Sequence, residues 1–153
     1  MTARLIAVQI QSYLHAVGID LQLKGYNSAV MFAPYAGGGI YQRGNFDLAW
    51  YTMTLGVDPD ASGRFTSHAV PPDGQNYSRY QNSEMDAAQT AGLMSFDRAT
   101  RKRAYARSQE LLARDVPVVF VFWPKNIDAC DARLRGFAPN PVTPTWNAQD
   151  WSY

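Results

Sequence analysis

The stretch "DRATRKRAYARSQELLARDVPVVFVFW", residues 97–123, decides how the chain is read. Its two halves have different periods. Asp97 is a favoured N-cap residue. Tyr105, Ser108, Leu111 and Leu112 then recur at spacings that share one helical face, so a helix is predicted from Arg98 to about Arg114. After Pro117 comes an uncharged run of Val, Phe and Trp, read as a buried strand. Proline is tolerated at such an entry position. A helix feeding straight into a strand is the repeating unit of an α/β chain.

The same alternation appears on both sides. Asn82 or Ser83 caps a predicted helix running to about Leu93. Upstream, "FDLAWYTMT" (46–54) is apolar on both faces and reads as a central strand. Near the start, Ile6, Ile10, Tyr13, Leu14 and Val17 form one stripe of a helix over 4–17, and Gly18 suits a left-handed C-cap. "IDLQLK" (19–24) then alternates apolar and polar residues, the pattern of a half-buried strand. "NSAVMFAPY" reads as a short helix capped by Asn27 and ended near Pro34, and "AGGGIYQRGN" as a mobile connection. Beyond Lys125 no period is visible. The fold expected is α/β, a mixed sheet flanked by helices.

Composition narrows the function. At 153 residues the chain can bury a core, and its 46% hydrophobic and 18% charged residues are globular values. A net charge of +1 gives no field that would gather nucleic acid. The basic run 97–107 is followed by Glu110 and Asp115 and carries no interleaved stacking platform, so it reads as a solvated helix face. Arg101, four residues before Tyr105, turns inward, with Asp86 as its expected carboxylate partner. No stretch approaches the roughly 18 apolar residues of a membrane span. His15, His68 and Cys130 lack spaced companions, so no metal set is read, and the triple glycine lacks the lysine of a phosphate loop. No cofactor and no catalytic constellation is read. Asp58 and Asp60 bracket Pro59 and point in different directions at a helix start. They are read as a cap and a first-turn acid rather than an acid–base pair.

Four pieces in order carry a resemblance: "IQSYLHAVGIDLQLKGYNSAVMF", "GNFDLAWYTMTLGVDPDASGRF", "NYSRYQNSEMDAAQTAG" and "FDRATRKRAYARSQELLARDVPVVFVFW". Together they resemble the C-terminal part of extracytoplasmic solute-binding proteins of the dipeptide, oligopeptide and nickel-binding family, the receptors of ATP-binding cassette importers. The resemblance implies a two-lobed, type II periplasmic-binding-protein-like receptor that closes on a solute and presents it to membrane permease subunits. It implies a periplasmic or extracytoplasmic location and no enzymatic activity. Residues 1–136 would be most of the second lobe, incomplete at its start, and the chain a fragment. Residues 137–153 would be an irregular tail returning to the first lobe, partly disordered or repacked without it.

In such receptors the strand ending near "WYTMT" and the loop after it edge the ligand cleft. The resemblance therefore marks Trp50, Tyr51, Thr52, Met53, Thr54 and Leu55 as ligand-binding, with Asn76 and Tyr77 as further cleft residues. Dipeptide-binding members place an acid in that loop for the peptide's amino terminus. Residues 53–57 contain none, and a buried ammonium without a carboxylate is costly. Met53 and Val57 stand where nickel-binding members place aromatics. A longer peptide, an oligosaccharide or another mid-sized organic solute is the class left. The alternative is a stand-alone carbohydrate-binding or chemosensory module using the same aromatic residues.

Overall fold

A helical hairpin organises the chain. The computed structural model describes residues 2–54, 56–140 and 142–153. Its helices are α1 (Thr2–His15), α2 (Ser28–Met31), α3 (Ile40–Arg43), α4 (Ser62–Phe65), α5 (Ser83–Leu93) and α6 (Arg98–Asp115), with short 3-10 turns between and after them.

Three caps act where the sequence places them, whereas Asp58 does not cap α4, which starts at Ser62 with Ala61 in the N-cap position and no side-chain cap bond. Asn27 accepts from Val30 N, Asn82 from Glu84 N and Met85 N, and Asp97 from Thr100 N. Each satisfies amide donors that the first turn of a helix leaves open. Gly18 has φ +84° and ends the turn after α1, where a β-carbon would be strained.

The hairpin of α5 and α6 closes through small and polar groups. A β-carbon on Gly92 would lie 2.6 Å from the Tyr105 ring, so only glycine lets the two helices approach this closely. Gln89, almost fully buried, donates to Ser108 Oγ (3.0 Å) and accepts from Ala61 N (3.1 Å), which fixes the entry to α4. At the centre lie Phe65 of α4, Met85 of α5 and Leu111 of α6. Met53, Ala61, Tyr80, Leu112 and Val118 pack around them.

The α/β expectation, a mixed sheet flanked by helices, is not met. Among the described residues there is no strand; the sole ladder element is one antiparallel bridge, Arg135 to Ser152. The three expected strands, 19–24, 46–54 and 118–123, contain no helix and no ladder. Hydropathy period reports which face of a segment would be buried. A strand also needs a neighbouring backbone about 4.8 Å away to take its N–H and C=O groups. Ile19 and Leu23, the supposed inner face of the first, are 51% and 42% exposed. The tail 137–153 folds back on the residues just before it. Trp151 packs edge-on against Phe137, and the buried Asn147 donates to Gly136 O and accepts from the Trp151 indole.

Candidate functional site

The glycine-rich segment read as a connection builds the centre of the site. Gly39 sits so close to Ala33 that a β-carbon would fall 1.8 Å from the Ala33 carbonyl oxygen. Gly44, at φ +72°, ends α3. Between them α3 drives Tyr41 inward until it is 1% exposed. Tyr41 stacks on Tyr77 (5.2 Å between centroids) and meets Phe32, Phe46 and Tyr51 at 4.8, 5.8 and 5.1 Å. Its hydroxyl donates to Trp50 O at 3.0 Å. Offset and edge-on arrangements like these are the favoured geometries of aromatic pairs.

Residues 50–54 run past this cluster outside any helix or ladder. Tyr51 is half-buried, its ring 5.9 Å from Tyr77. Trp50 is half-buried and lies 6.3 Å from Phe122. Met53 turns to the hydrophobic core, whereas Thr52 and Thr54 are exposed. The Thr54 carbonyl accepts from the Arg64 guanidinium at 3.0 Å. Leu55 lies outside the described residues. The structure thus brings Tyr51 and Tyr77 together across 26 residues of sequence.

Asn76 is fully buried beside them. Its Nδ2 donates to Thr66 O and Tyr80 O, and its Oδ1 accepts from Ser78 Oγ and Tyr80 N. The side chain thereby holds the turn that aims Tyr77 at the cluster. The Asp58 and Asp60 carboxylates organise a different turn. Asp60 accepts from Ser62 N at the start of α4, and Asp58 accepts from Asp60 N. Asp58 also takes the Arg101 guanidinium at 2.6 Å, while Arg101 donates to Gly92 O at 2.7 Å. The partner of Arg101 is therefore Asp58, not Asp86, whose carboxylate instead accepts from Ser67 N. A surface depression of about 410 Å³ beside this pair is lined by Pro59, Arg98, Arg101, Lys102, Tyr105 and Gln109; none of residues 50–54, 76 or 77 lines it. Among the described residues no group of three His, Cys, Asp or Glu stands close enough to hold a metal ion, and no helix is long and apolar enough to cross a membrane.

Burial sets the electrostatics of the cluster. It pushes the Tyr41 phenol up to about 12, with smaller contributions from Tyr51 and Tyr77. Tyr51 is raised too, first by burial and then by Tyr77. The sign follows directly. An unfolded tyrosine releases its proton near pH 10. The folded chain holds the Tyr41 proton to about 12. Stability contributed by neutral, buried Tyr41 is therefore complete below about pH 10 and is lost as pH rises through about 12. Tyr41→Phe is expected to flatten that alkaline fall in a denaturant series taken across it. An unchanged slope in the variant would show that Tyr41 does not carry it.

Tyr41, Phe32 and Phe46 were missed from sequence because the triple glycine masked α3. The signal was present: an aromatic flanked by glycines three residues after and two before, where a helical turn is closed at both ends.

Three relatives cover nearly the whole chain. It is 26% identical over 144 residues, 93% of its length, to "Glutathione-binding protein GsiB" of Pectobacterium atrosepticum. It is 27% identical over 150 residues, 95% of its length, to "Oligopeptide-binding protein AppA" of Bacillus subtilis. It is 27% identical over 144 residues to "Glutathione-binding protein GsiB" of Escherichia coli K12. The chain spans only 26–28% of the length of these relatives. No family model and no solved structure matches it. The resemblance read from four ordered pieces is borne out by relatives named as glutathione- and oligopeptide-binding proteins, aligned over 93–95% of the chain.

Proposed function

We propose, from this kinship with glutathione- and oligopeptide-binding proteins, that the chain forms part of the solute cleft of an importer receptor. The receptor would be extracytoplasmic and non-catalytic. It would close about a hinge on its solute and be read in the closed state by the permease of an ATP-binding cassette importer. The observation that supports this best is the match, over 93–95% of the chain, to proteins named for binding glutathione and oligopeptides. Residues 137–153 would run toward the receptor's other lobe.

The wall is Trp50, Tyr51, Thr52 and Thr54 with Tyr77; Met53, marked with them from the sequence, packs on the core behind it, and Asn76 positions Tyr77. Leu55 is kept in the same set from the sequence. Half-buried rings give a solute apolar area at little entropic cost, and the exposed Thr52 and Thr54 add hydroxyls. Residues 53–57 supply no carboxylate, so a peptide would be held by its backbone and side chains rather than by its ammonium.

Nuclear magnetic resonance titration of the chain with glutathione and with a pentapeptide tests the reading. With only part of a cleft present, binding in the millimolar range, about −4 kcal/mol, is expected. Shifts should centre on residues 50–54 and 77, and Tyr51→Ala should weaken them about tenfold. If neither compound perturbs those residues at millimolar concentration, the assignment of this wall is wrong.

A further inference from the structure

One side chain ties the exit of the proposed wall to the helical hairpin. Arg101 of α6 forks between two distant segments. Its Nη1 donates to Gly92 O at 2.7 Å, and its Nη2 donates to Asp58 Oδ2 at 2.6 Å. Gly92 lies in the last turn of α5, where helix carbonyls lack intrahelical partners. A guanidinium presents its N–H groups as a rigid planar fork, so two acceptors are held in one fixed relation.

The constraint runs from Asp58 back to the wall. Asp58 accepts from Asp60 N, and Asp60 accepts from Ser62 N, the first residue of α4. Gln89 of the hairpin takes Ala61 N in the same turn. From α4, Arg64 then donates to Thr54 O, ten residues back, at 3.0 Å. Burial and Tyr77 raise the Tyr51 phenol while the Arg64 charge draws it down, so this guanidinium acts on the ring of the wall as well as on its backbone. Thr54, Asp58, Ala61 and Arg64 are successive points of one bracket, and the hairpin holds the middle two.

We infer that Arg101 is a positioning residue for the solute wall: through Asp58 it sets where Met53 and Thr54 leave the aromatic cluster. The inference rests on the assignment of residues 50–54 and 77 as that wall. The role is one of placement rather than of fold stability. The Arg101 and Asp58 side chains are 25% and 57% exposed, and pairs this open to water contribute little to stability. A wall fixed before the solute arrives binds more tightly, because less ordering is left to the binding step.

Titration of the whole chain with pentaalanine tests this. Its two terminal charges cancel, so a change in the net charge of the protein has little direct effect on it. Arg101→Gln and Asp58→Asn should each weaken binding about fivefold, and the double variant no more than either alone, because both act through one contact. Arg101→Lys keeps the charge without the fork and should fall between. In the solute-free chain, nitrogen relaxation order parameters of Arg101→Gln should drop at Met53, Thr54 and Val57, from about 0.85 toward 0.6, and stay level through α5 and α6. Unchanged binding, additive losses, or unchanged order parameters at those three amides overturn the inference. So does a loss of binding confined to variants whose hairpin has also loosened, the mark of a merely structural role. If pentaalanine leaves residues 50–54 and 77 of the unaltered chain unmoved, the solute reading fails, and the order parameters then decide whether Arg101 positions this segment.

Discussion

Leu111→Ala is expected to lower the unfolding free energy by about 3–4 kcal/mol, a large share of the roughly 5–15 kcal/mol of an ordinary domain. Leu111 is fully buried and meets Phe65 and Met85. Those three side chains come from α6, α4 and α5, so one truncation opens a cavity where three helices converge. The loss combines the transfer free energy of the deleted carbons with the dispersion contacts that the cavity lining gives up. Leu111→Met keeps the volume and should cost less than about 1.5 kcal/mol. Urea unfolding followed by far-ultraviolet circular dichroism measures both. A loss below about 1 kcal/mol for the alanine variant would mean that this cluster is not the centre of stability.

Asn76→Ala should cost about 3 kcal/mol, by a different route. Nothing apolar of consequence is removed. The variant strands the Thr66 and Tyr80 carbonyls and the Tyr80 amide, which Asn76 pairs at 2.9, 2.8 and 3.1 Å. A buried group that loses its partner costs about 1–3 kcal/mol. Asn76→Asp should be no better, because a carboxylate cannot donate to either carbonyl. The local consequence is more telling than the global one. The turn aims Tyr77 at Tyr41 and Tyr51, so contacts between these rings should weaken in nuclear Overhauser spectra even where the variant remains folded. Retained ring contacts together with unchanged stability would show that Asn76 is dispensable to the site.

The two halves of the opening stretch had different fates, and the reason is physical. The Asp97 cap and the Tyr105, Ser108, Leu111 face were legible because helix formation involves groups no more than about four residues apart. The same holds for Asn27, Asn82 and Gly18. Residues 118–123 show the opposite case. Their hydropathy fits a buried strand, yet Val118 alone of the six packs on the core. Val119 through Trp123 stay exposed, and among the described residues no backbone–backbone hydrogen bond reaches them.

The candidate site divides along the same line. Tyr51 and Tyr77 came from the resemblance, residue by residue. Tyr41, the ring that joins them, did not, because its burial depends on Gly39 meeting Ala33 and on rings arriving from positions 32, 46, 51 and 77. The aspartates tell the same story over a longer reach. Asp58 looked like a helix cap, yet α4 begins at Ser62 behind Ala61, and the Asp58 carboxylate instead takes Asp60 N and the Arg101 guanidinium, 43 residues away.

By itself, then, the sequence determined the long helices α5 and α6, the caps at Asn27, Asn82 and Asp97 and the resemblance to glutathione- and oligopeptide-binding proteins, since each is written in short-range spacing or in ordered motifs. Only the tertiary structure decided that no sheet forms among the described residues, that Arg101 pairs with Asp58, and that four aromatic rings gather around Tyr41. Each of those outcomes depends on a partner distant in the chain, and neither hydropathy nor spacing specifies where that partner will be.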